Sequence, residues 1–439
     1  MKAITPSGKA TAYKTAMAQP VRSASLLSVA ITHSGNTYTF REGEILNAQK
    51  VEDIDPLSRR LPTQTFTVTV ADPTHSFDPM NPTGKWQAEK GDKMVVKFGL
   101  NLAGTESWAD ADYYYLTGKP DANTGSVTFT GEGRIATLTK EWWKDYTSVN
   151  YATAVDGILT DAGITSGERN LDTLALNQRI GIASESKPCT TAEALQRFAH
   201  ASGMALYSRG DKVCMKRWFE PATPPDYSQI VIPLEDILLN GDTVAKTEEV
   251  STLRVTGYQQ VLSSETQTIW EGDVYQGSST GVRSFQFDYG GEPFWDIART
   301  VTGGATVALE TLAQYRAELV LSGAGTAHVV ITGSPVEVVT VQMDVTIGGA
   351  GGAVEEINNP LLGFTAQTAV PRDWLIQDYT YYLAKRVTHA VRHRGTDLIE
   401  AGDPVTLTTE RGTVNGLVLA VRTDYNGAIS STLTIKEMS

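Results

Sequence analysis

Residues Gly416–Glu437 read GLVLAVRTDYNGAISSTLTIKE. Leu417, Leu419 and Val421 alternate with other residues, which is the period of a strand. Tyr425-Asn426-Gly427 is the strongest hairpin signal in the chain, because Asn-Gly tolerates the left-handed backbone of a tight turn. Ile429, Leu433 and Ile435 then share one side of the returning strand. Upstream, Gly402-Asp403-Pro404-Val405 opens another strand, with Val405 and Leu407 alternating.

A second Gly-Asp start lies far away, at Gly91-Asp92-Lys93-Met94-Val95. It leads into Met94, Val96 and Phe98 at period two. Around it lie further alternating runs: Leu27, Val29 and Ile31; Tyr38 and Phe40 after Ser34-Gly35-Asn36; Phe66, Val68 and Val70 among threonines; Tyr113 to Tyr115; Val127 and Phe129. Short strands with turn signals between them indicate a barrel or sandwich. The two Gly-Asp starts suggest two related barrels, one near each end, with Gly91, Asp92, Gly402, Asp403, Asn426 and Gly427 as their structural turns.

Between these ends the pattern changes. Val155, Ile158, Leu159 and Ala162 sit at helical spacing before Gly163. Thr190-Thr191-Ala192-Glu193 is a capping box opening a second helix that buries Leu195, Phe198 and Ala199. A hairpin follows from Met204 to Trp218 around Arg209-Gly210-Asp211, and Glu220 to Asp226 reads as a Pro-rich linker. Gly277 to Gly291 reads as loop, Leu309 to Leu321 as a helical interlude, and Gly348 to Gly352 as a flexible loop. An amphipathic helix is expected from about Asp373 to Arg394, with Leu375, Ile376, Tyr379, Leu383, Val387 and Val391 on one face. The first twenty residues show no periodicity and read as an arm needing a partner surface.

The 439 residues suggest about three domains. With 37 Lys and Arg against 50 Asp and Glu, the net charge is −13. That balance argues against a nucleic-acid coat protein, which needs clustered cations, and against docking to anionic lipid. Two cysteines, Cys189 and Cys214, are too few for a disulfide framework or a four-thiolate zinc site. No apolar run approaches a membrane span, and the start shows no secretory h-region.

Each chemical motif fails on context. Gly277-Ser278-Ser279-Thr280-Gly281 fits G-x-S-x-G, but polar loop and Val282 to Phe285 flank it where a strand and a helix are needed. Gly131-Glu132-Gly133-Arg134-Ile135-Ala136 lacks the helix of a dinucleotide site and reads as a hairpin turn. Gly323-Ala324-Gly325 is unspecific. His389 and His393 lie four apart on the expected helix, yet Ala390 stands where a zincin carries Glu. Asp53/Asp55 and Asp110/Asp112 are carboxylate pairs with no pocket pattern to separate their pKa values. Trp142-Trp143 and Tyr113 to Tyr115 could stack on sugars, although aromatics at strand positions usually belong to cores. No catalytic residue, cofactor or metal ligand is expected.

The order of segments resembles the phage tail hub family: baseplate hubs, the N-terminal hubs of tail-associated lysins, and the related spike base of type VI secretion. The stretches that carry the resemblance are Phe66 to Gly99, Thr190 to Lys216, Ile230 to Gly257 and Tyr381 to Glu437, with ALYSRGDKVCMKRW and GLVLAVRTDYNGAISSTLTIKE the most similar pieces. It implies a mainly β chain with α/β inserts (α+β). Two tube-like β-barrels would flank an α/β body, and three chains would form a trimeric ring with pseudo-sixfold symmetry. The expected map is an arm over 1–20 and a first barrel over 21–140. An α/β insert with linker and a strand returning to the first barrel covers 141–245. A second barrel covers 246–290 and 395–439, with an inserted α/β segment and the long helix over 291–394.

The implied function is structural: a homotrimeric hub in the virion tail, assembled in the host cytoplasm. It would join a sixfold tail tube and distal-tail or baseplate proteins above to a threefold spike or fibre below. DNA and tape-measure protein would pass without specific binding, and an acidic wall would repel phosphate. No membrane insertion is implied. The rival expectations are a host-glycan-binding tail adhesin and a cell-wall hydrolase.

Overall fold

The computed structural model describes residues 2–17, 25–81, 84, 88–142, 146–147, 150–172, 182–183, 189–219, 225–349, 351–362 and 369–438. The end of the N-terminal arm, Trp143, most of the Glu220–Asp226 linker and Ala350 lie outside them.

The chain is mainly β. The N-terminal third forms β1 (Ile4–Thr5), β2 (Ser25–His33), β3 (Asn36–Arg41), β4 (Ile45–Asp53), β5 (Thr63–Ala71), β6 (Lys93–Leu102), β7 (Thr105–Ala109), β8 (Asp112–Leu116), β9 (Asp121–Asn123) and β10 (Ser126–Glu132). Short strands follow in the middle: β11 (Glu141–Trp142), β12 (Tyr146–Thr147), β13 (Arg169–Leu171), β14 (Ile182–Ala183), β15 (Cys189–Thr190), β16 (Ala205–Arg209), β17 (Lys212–Lys216) and β18 (Val231–Ile232). The remainder comprises β19 (Ile237–Lys246), β20 (Val250–Leu262), β21 (Gln267–Asp288), β22 (Phe294–Leu312), β23 (Arg316–Thr346), β24 (Ala353–Asn358), β25 (Val387–His393), β26 (Pro404–Thr409), β27 (Gly412–Tyr425) and β28 (Ile429–Glu437).

Sixteen strands from both ends of the chain share one sheet. Among the described residues, no sheet closes into a barrel. Within the large sheet one arrangement occurs twice. The order β4-β5-β10-β8-β6 in the first unit is matched by β19-β25-β28-β27-β26 in the second, with corresponding strands in the same chain order. All these neighbours are antiparallel. The units join where β4 pairs with the distal half of β27, Lys50 facing Thr423.

Alternation builds a separate core for each unit, because only one face of each strand can be dry. The first core holds Val29, Ile31, Phe66, Val68, Met94, Val96, Tyr114 and Phe129; Phe66 stacks on Tyr114 at 5.3 Å. The second holds Ile232, Val391, Val405, Leu407, Val418, Val421, Leu433 and Ile435. Leu417, Leu419 and Val421 do not share a face as their spacing suggested. The register of β27 shifts between Val418 and Ala420, so Val418 and Val421 enter the second core while Leu417 packs against the α/β body. An extra residue in one strand turns every later side chain over.

The body between the units uses helices Tyr151–Asp161 and Thr191–Ala201. Thr190 and Glu193 form the expected capping box, with the Glu193 carboxylate accepting the Thr190 N–H at 2.7 Å. Phe198 meets Trp142 and Tyr151 edge-on at 6.1 and 5.9 Å. A third helix, Ala369–Ala384, packs on this body and is clamped by Arg217, which donates two hydrogen bonds to the buried Asp378 at 2.7 and 2.8 Å.

His200 is also buried here. Asn359 Nδ2 donates to its Nδ1 at 3.2 Å and its Nε2 bonds the Tyr379 hydroxyl at 2.8 Å. Burial pushes this imidazole down to about 4, Asp55 and Arg59 acting in opposite senses on it. The unfolded chain therefore binds a proton that the folded chain refuses between about pH 6.5 and 4. Stability should fall on acidification through that window, by about 3 kcal/mol from this group alone. Urea titrations at pH 7, 5.5 and 4 should show that slope, and His200→Gln should flatten it.

Several sequence expectations need correction. The helix expected to run to Arg394 stops at Ala384, and Val387–His393 is strand β25. Val387, Thr388 and Val391 are β-branched and favour a pleated surface flanked by β19 and β28. The Leu309–Leu321 interlude belongs to β22 and β23, and most of Gly277–Gly291 belongs to β21. Residues 246–290 do not accompany 395–439; they lie with β22–β24 in a separate five-stranded sheet. The second unit instead takes 237–246 and 387–437, interrupted between its first two strands by 247–386. The N-terminal arm finds its partner surface on its own chain: β1 pairs with β7, and helix Ala10–Met17 buries Tyr13 and Met17 beside Leu100 and Leu398.

Candidate assembly site

The two Gly-Asp turns are one piece of geometry built twice. Each is Glu-x-Gly-Asp: Glu89 to Asp92, and Glu400 to Asp403. Gly91 has φ +91° and Gly402 has φ +90°, a region that glycine enters without a Cβ penalty. The Asp92 carboxylate accepts the Glu89 N–H at 2.7 Å, and that of Asp403 accepts the Glu400 N–H at 3.0 Å. Gly91 N–H donates to Leu116 O at 2.8 Å and Leu116 N–H returns to Asp92 O at 2.9 Å. Gly402 and Val418 repeat this at 2.7 Å, with Val418 N–H to Asp403 O at 3.0 Å. Leu116 thus corresponds to Val418.

The surroundings differ. A Cβ on Gly91 would meet open space, whereas one on Gly402 would lie 2.5 Å from the Trp218 ring. Gly91→Ala should cost about 1–2 kcal/mol of left-handed strain. Gly402→Ala should cost about 1–3 kcal/mol more from overpacking against the indole. Paired denaturant titrations check the difference. Asn426 and Gly427 form the β27–β28 turn, with Gly427 at φ +91° and Asn426 N–H to Ala428 O at 3.3 Å.

Where the units meet, charge is buried. Lys50, fully buried on β4, reaches Glu52 at 3.0 Å and Asp112 at 3.1 Å. Lys2 from the N-terminal arm reaches Asp112 at 2.6 Å. Glu400 and Asp403 receive Arg209 at 3.4 and 3.1 Å, and Glu52 accepts the Ala401 N–H at 3.1 Å. Burial alone would lower the Lys50 pKa, but Asp112 and Glu52 outweigh it and hold it well above the usual lysine range. Burial would raise Asp112, and Lys2 with Lys50 reverse that and hold it low. Burial wins at Glu400, which is raised despite Arg209.

Oxygens of Glu52, Asp112 and Glu400 lie within 4.8 Å of one another, the one such grouping among the described residues. The two lysine ammonium groups already serve as its cations. The Lys2 N–H also donates to Leu398 O at 3.3 Å, and Tyr13 hydroxyl donates to Asp397 at 3.0 Å. The arm therefore staples the first unit to the second. Sequence reading had Asp112 in a pair with Asp110 but missed Lys2, Lys50 and Glu52; a lysine on the dry side of an alternating strand was the available signal.

The other candidates are dispersed. Asp53 pairs with Arg60 at 2.6 Å and Asp55 with Arg59 at 2.8 Å. Asp110 accepts the Ala3 N–H at 3.3 Å. His389 and His393 point to one side of β25, and His389 bonds Asp242 at 3.2 Å. Trp142 is buried, and so is Tyr114. Tyr115 donates to Asp211 at 2.5 Å, and Lys93 lies 4.6 Å from the Tyr113 ring. Gly131 to Ala136 is the end of β10 and a single 3-10 turn, not a hairpin. Gly277, Gly281, Gly303 and Gly323 sit at one level of β21, β22 and β23, where the β21–β23 and β22–β23 registers both shift. A Cβ on Gly323 would lie 2.1 Å from Gly304 O, so this level is a glycine corner where backbones touch, and Ser279 has no helix behind it.

Fold and site together define a mainly β chain with a duplicated unit and a buried ionic seam. No protein-family profile matches the chain, and no curated protein matches it in sequence. Its fold is that of phage tail proteins. The 43 kDa tail protein of prophage MuSo2 from Shewanella oneidensis is similar with TM-score 0.52 and 10% identity, over 94% of this chain and 100% of that one. The tail protein of Neisseria meningitidis MC58 is similar with TM-score 0.52 and 9% identity, over 94% and 96%.

Proposed function

We propose that this chain is a structural hub of a phage or phage-like tail tip or baseplate. Three chains form a ring of six units, matching a sixfold tail tube and distal-tail proteins on one side and a threefold spike or fibre on the other. The observation that supports this is the duplicated five-strand unit with its repeated Glu-x-Gly-Asp turn. Two equivalent units in one chain are what a trimer needs to present six equivalent surfaces. Each unit would contribute its sheet to a tube wall.

The role is carried by surfaces rather than by a reacting group, so we read it as non-enzymatic. The face of the sheet away from the unit cores carries Thr67, Thr69, Thr128 and Thr130, with Thr69 and Thr128 hydroxyls 3.0 Å apart. It also carries Gln49 and Asp424 in contact at 2.8 Å, with Arg422 beside them. A conduit lined by this mixed polar face would let DNA and tape-measure protein pass without binding. Trp142, one of the two tryptophans of the glycan-platform alternative, is buried.

Mass measurement in solution and imaging of assembled tails test the reading. Three chains with six density lobes are expected at the tail tip. A chain that stays monomeric and binds no tube or distal-tail protein overturns it.

A further inference from the structure

The repeat makes β4 and β19 equivalent, yet their surroundings differ. β4 is bonded on both sides, to β5 and to the distal half of β27. β19 is bonded to β25 and ends the sheet path. The turn equivalence places Val244 of β19 where Lys50 stands in β4, because Gly131–Phe66–Lys50 and Ile435–His389–Val244 are matching rungs. Lys50 is 0% exposed and Val244 is 39% exposed. Leu239 on the same strand is 93% exposed. Among the described residues, the second unit therefore lacks what the first receives: a strand equivalent to Ala420–Tyr425.

That equivalent strand exists in the first unit, and it is β9. It prolongs β8 as the distal half of β27 prolongs the proximal half, and it lies on β10 as the end of β27 lies on β28. Its three residues are exposed, and among the described residues it pairs with β10 alone.

We propose that β19 of one chain adds to β9 of a second copy of this chain, antiparallel, in the register of the β4–β27 junction. Lys50 faces Thr423, and Thr423 faces Ser431 as Ala122 faces Val127. Val244 therefore comes opposite Ala122, Thr243 opposite Asn123, and Ala245 opposite Asp121. The contact is head-to-tail, so each chain offers one edge and receives another. It covers an edge strand that would otherwise invite unspecific pairing. It rests on the hub reading only for the number of chains that close the ring.

The test uses the full chain carrying Ala122→Cys and Val244→Cys. Cα atoms directly opposite on antiparallel strands lie within disulfide reach, and native Cys189 and Cys214 are buried. Oxidation should give covalent dimers and trimers that reduction dissolves, with none from either single variant. Because Val244 is exposed, Val244→Asp should keep the circular dichroism of the native chain and weaken self-association at least tenfold. Trimer mass without cross-links, and without an effect of Val244→Asp, overturns the edge contact and leaves the hub reading standing. Cross-links that run into open polymers support the contact and overturn the three-chain ring. Monomer at every concentration, without cross-links, overturns both.

Discussion

Asp112→Ala should lower the unfolding free energy by about 3–5 kcal/mol, the size expected when one side of a buried ion pair is removed. Asp112 is 1% exposed and receives both Lys2 and Lys50. Without it, Lys50 keeps only Glu52 in a fully buried position, and Lys2 loses its acceptor. The pair is not strong in itself; desolvation nearly cancels the attraction, and the cost arises from the charges left behind. Lys50→Met with Asp112→Ala should therefore be less destabilised than the two single effects added together, and a double-mutant cycle measures the difference. The folded Asp112 pKa lies below its unfolded value, so its contribution is present above the unfolded pKa near 3.8 and is lost as pH falls through the lower folded value. Equilibrium urea unfolding at pH 7 and pH 3 checks both the size and the direction, and Asp112→Ala should narrow the difference between the two.

Asp378→Ala should cost about as much, about 3–5 kcal/mol, by stranding the Arg217 guanidinium. Asp378 is 0% exposed and its two oxygens take the two shorter Arg217 hydrogen bonds, the third reaching Gln377 at 3.5 Å. The lost contact binds helix Ala369–Ala384 to the α/β body, so the damage should be local first. Hydrogen exchange should accelerate across that helix and around Gly203, whose position lies against the Asp378 carboxylate. The two-unit sheet should retain its protection. Equal acceleration in β5 and β28 would show instead that helix, body and sheet unfold as one.

The fold was legible where a local pattern had one outcome. The Thr190–Glu193 capping box, the Asn426-Gly427 turn and the period-two runs of β2, β5 and β6 each depend on neighbours in sequence. The two Gly-Asp starts also marked the repeated turns, because only glycine enters φ near +90° at low cost. Val387–Arg394 misled because its apolar residues continue the spacing of the helix before it. β-Branching and the flanking strands decide that segment, and the flanking strands are contributed by distant residues.

By itself, the sequence determined a mainly β chain with a Gly-Asp strand start near each end and an α/β body between. Only the tertiary structure decided that the two ends share a single sheet, that the units match strand for strand, and that a buried ionic seam joins them. Strand pairing order and the partners of a buried lysine are set by contacts between residues as far apart as Glu52 and Ala401. Hydrogen bonding between strands is the same for any alternating sequence, so the pattern specifies which face is dry and leaves the choice of neighbour to the folded whole.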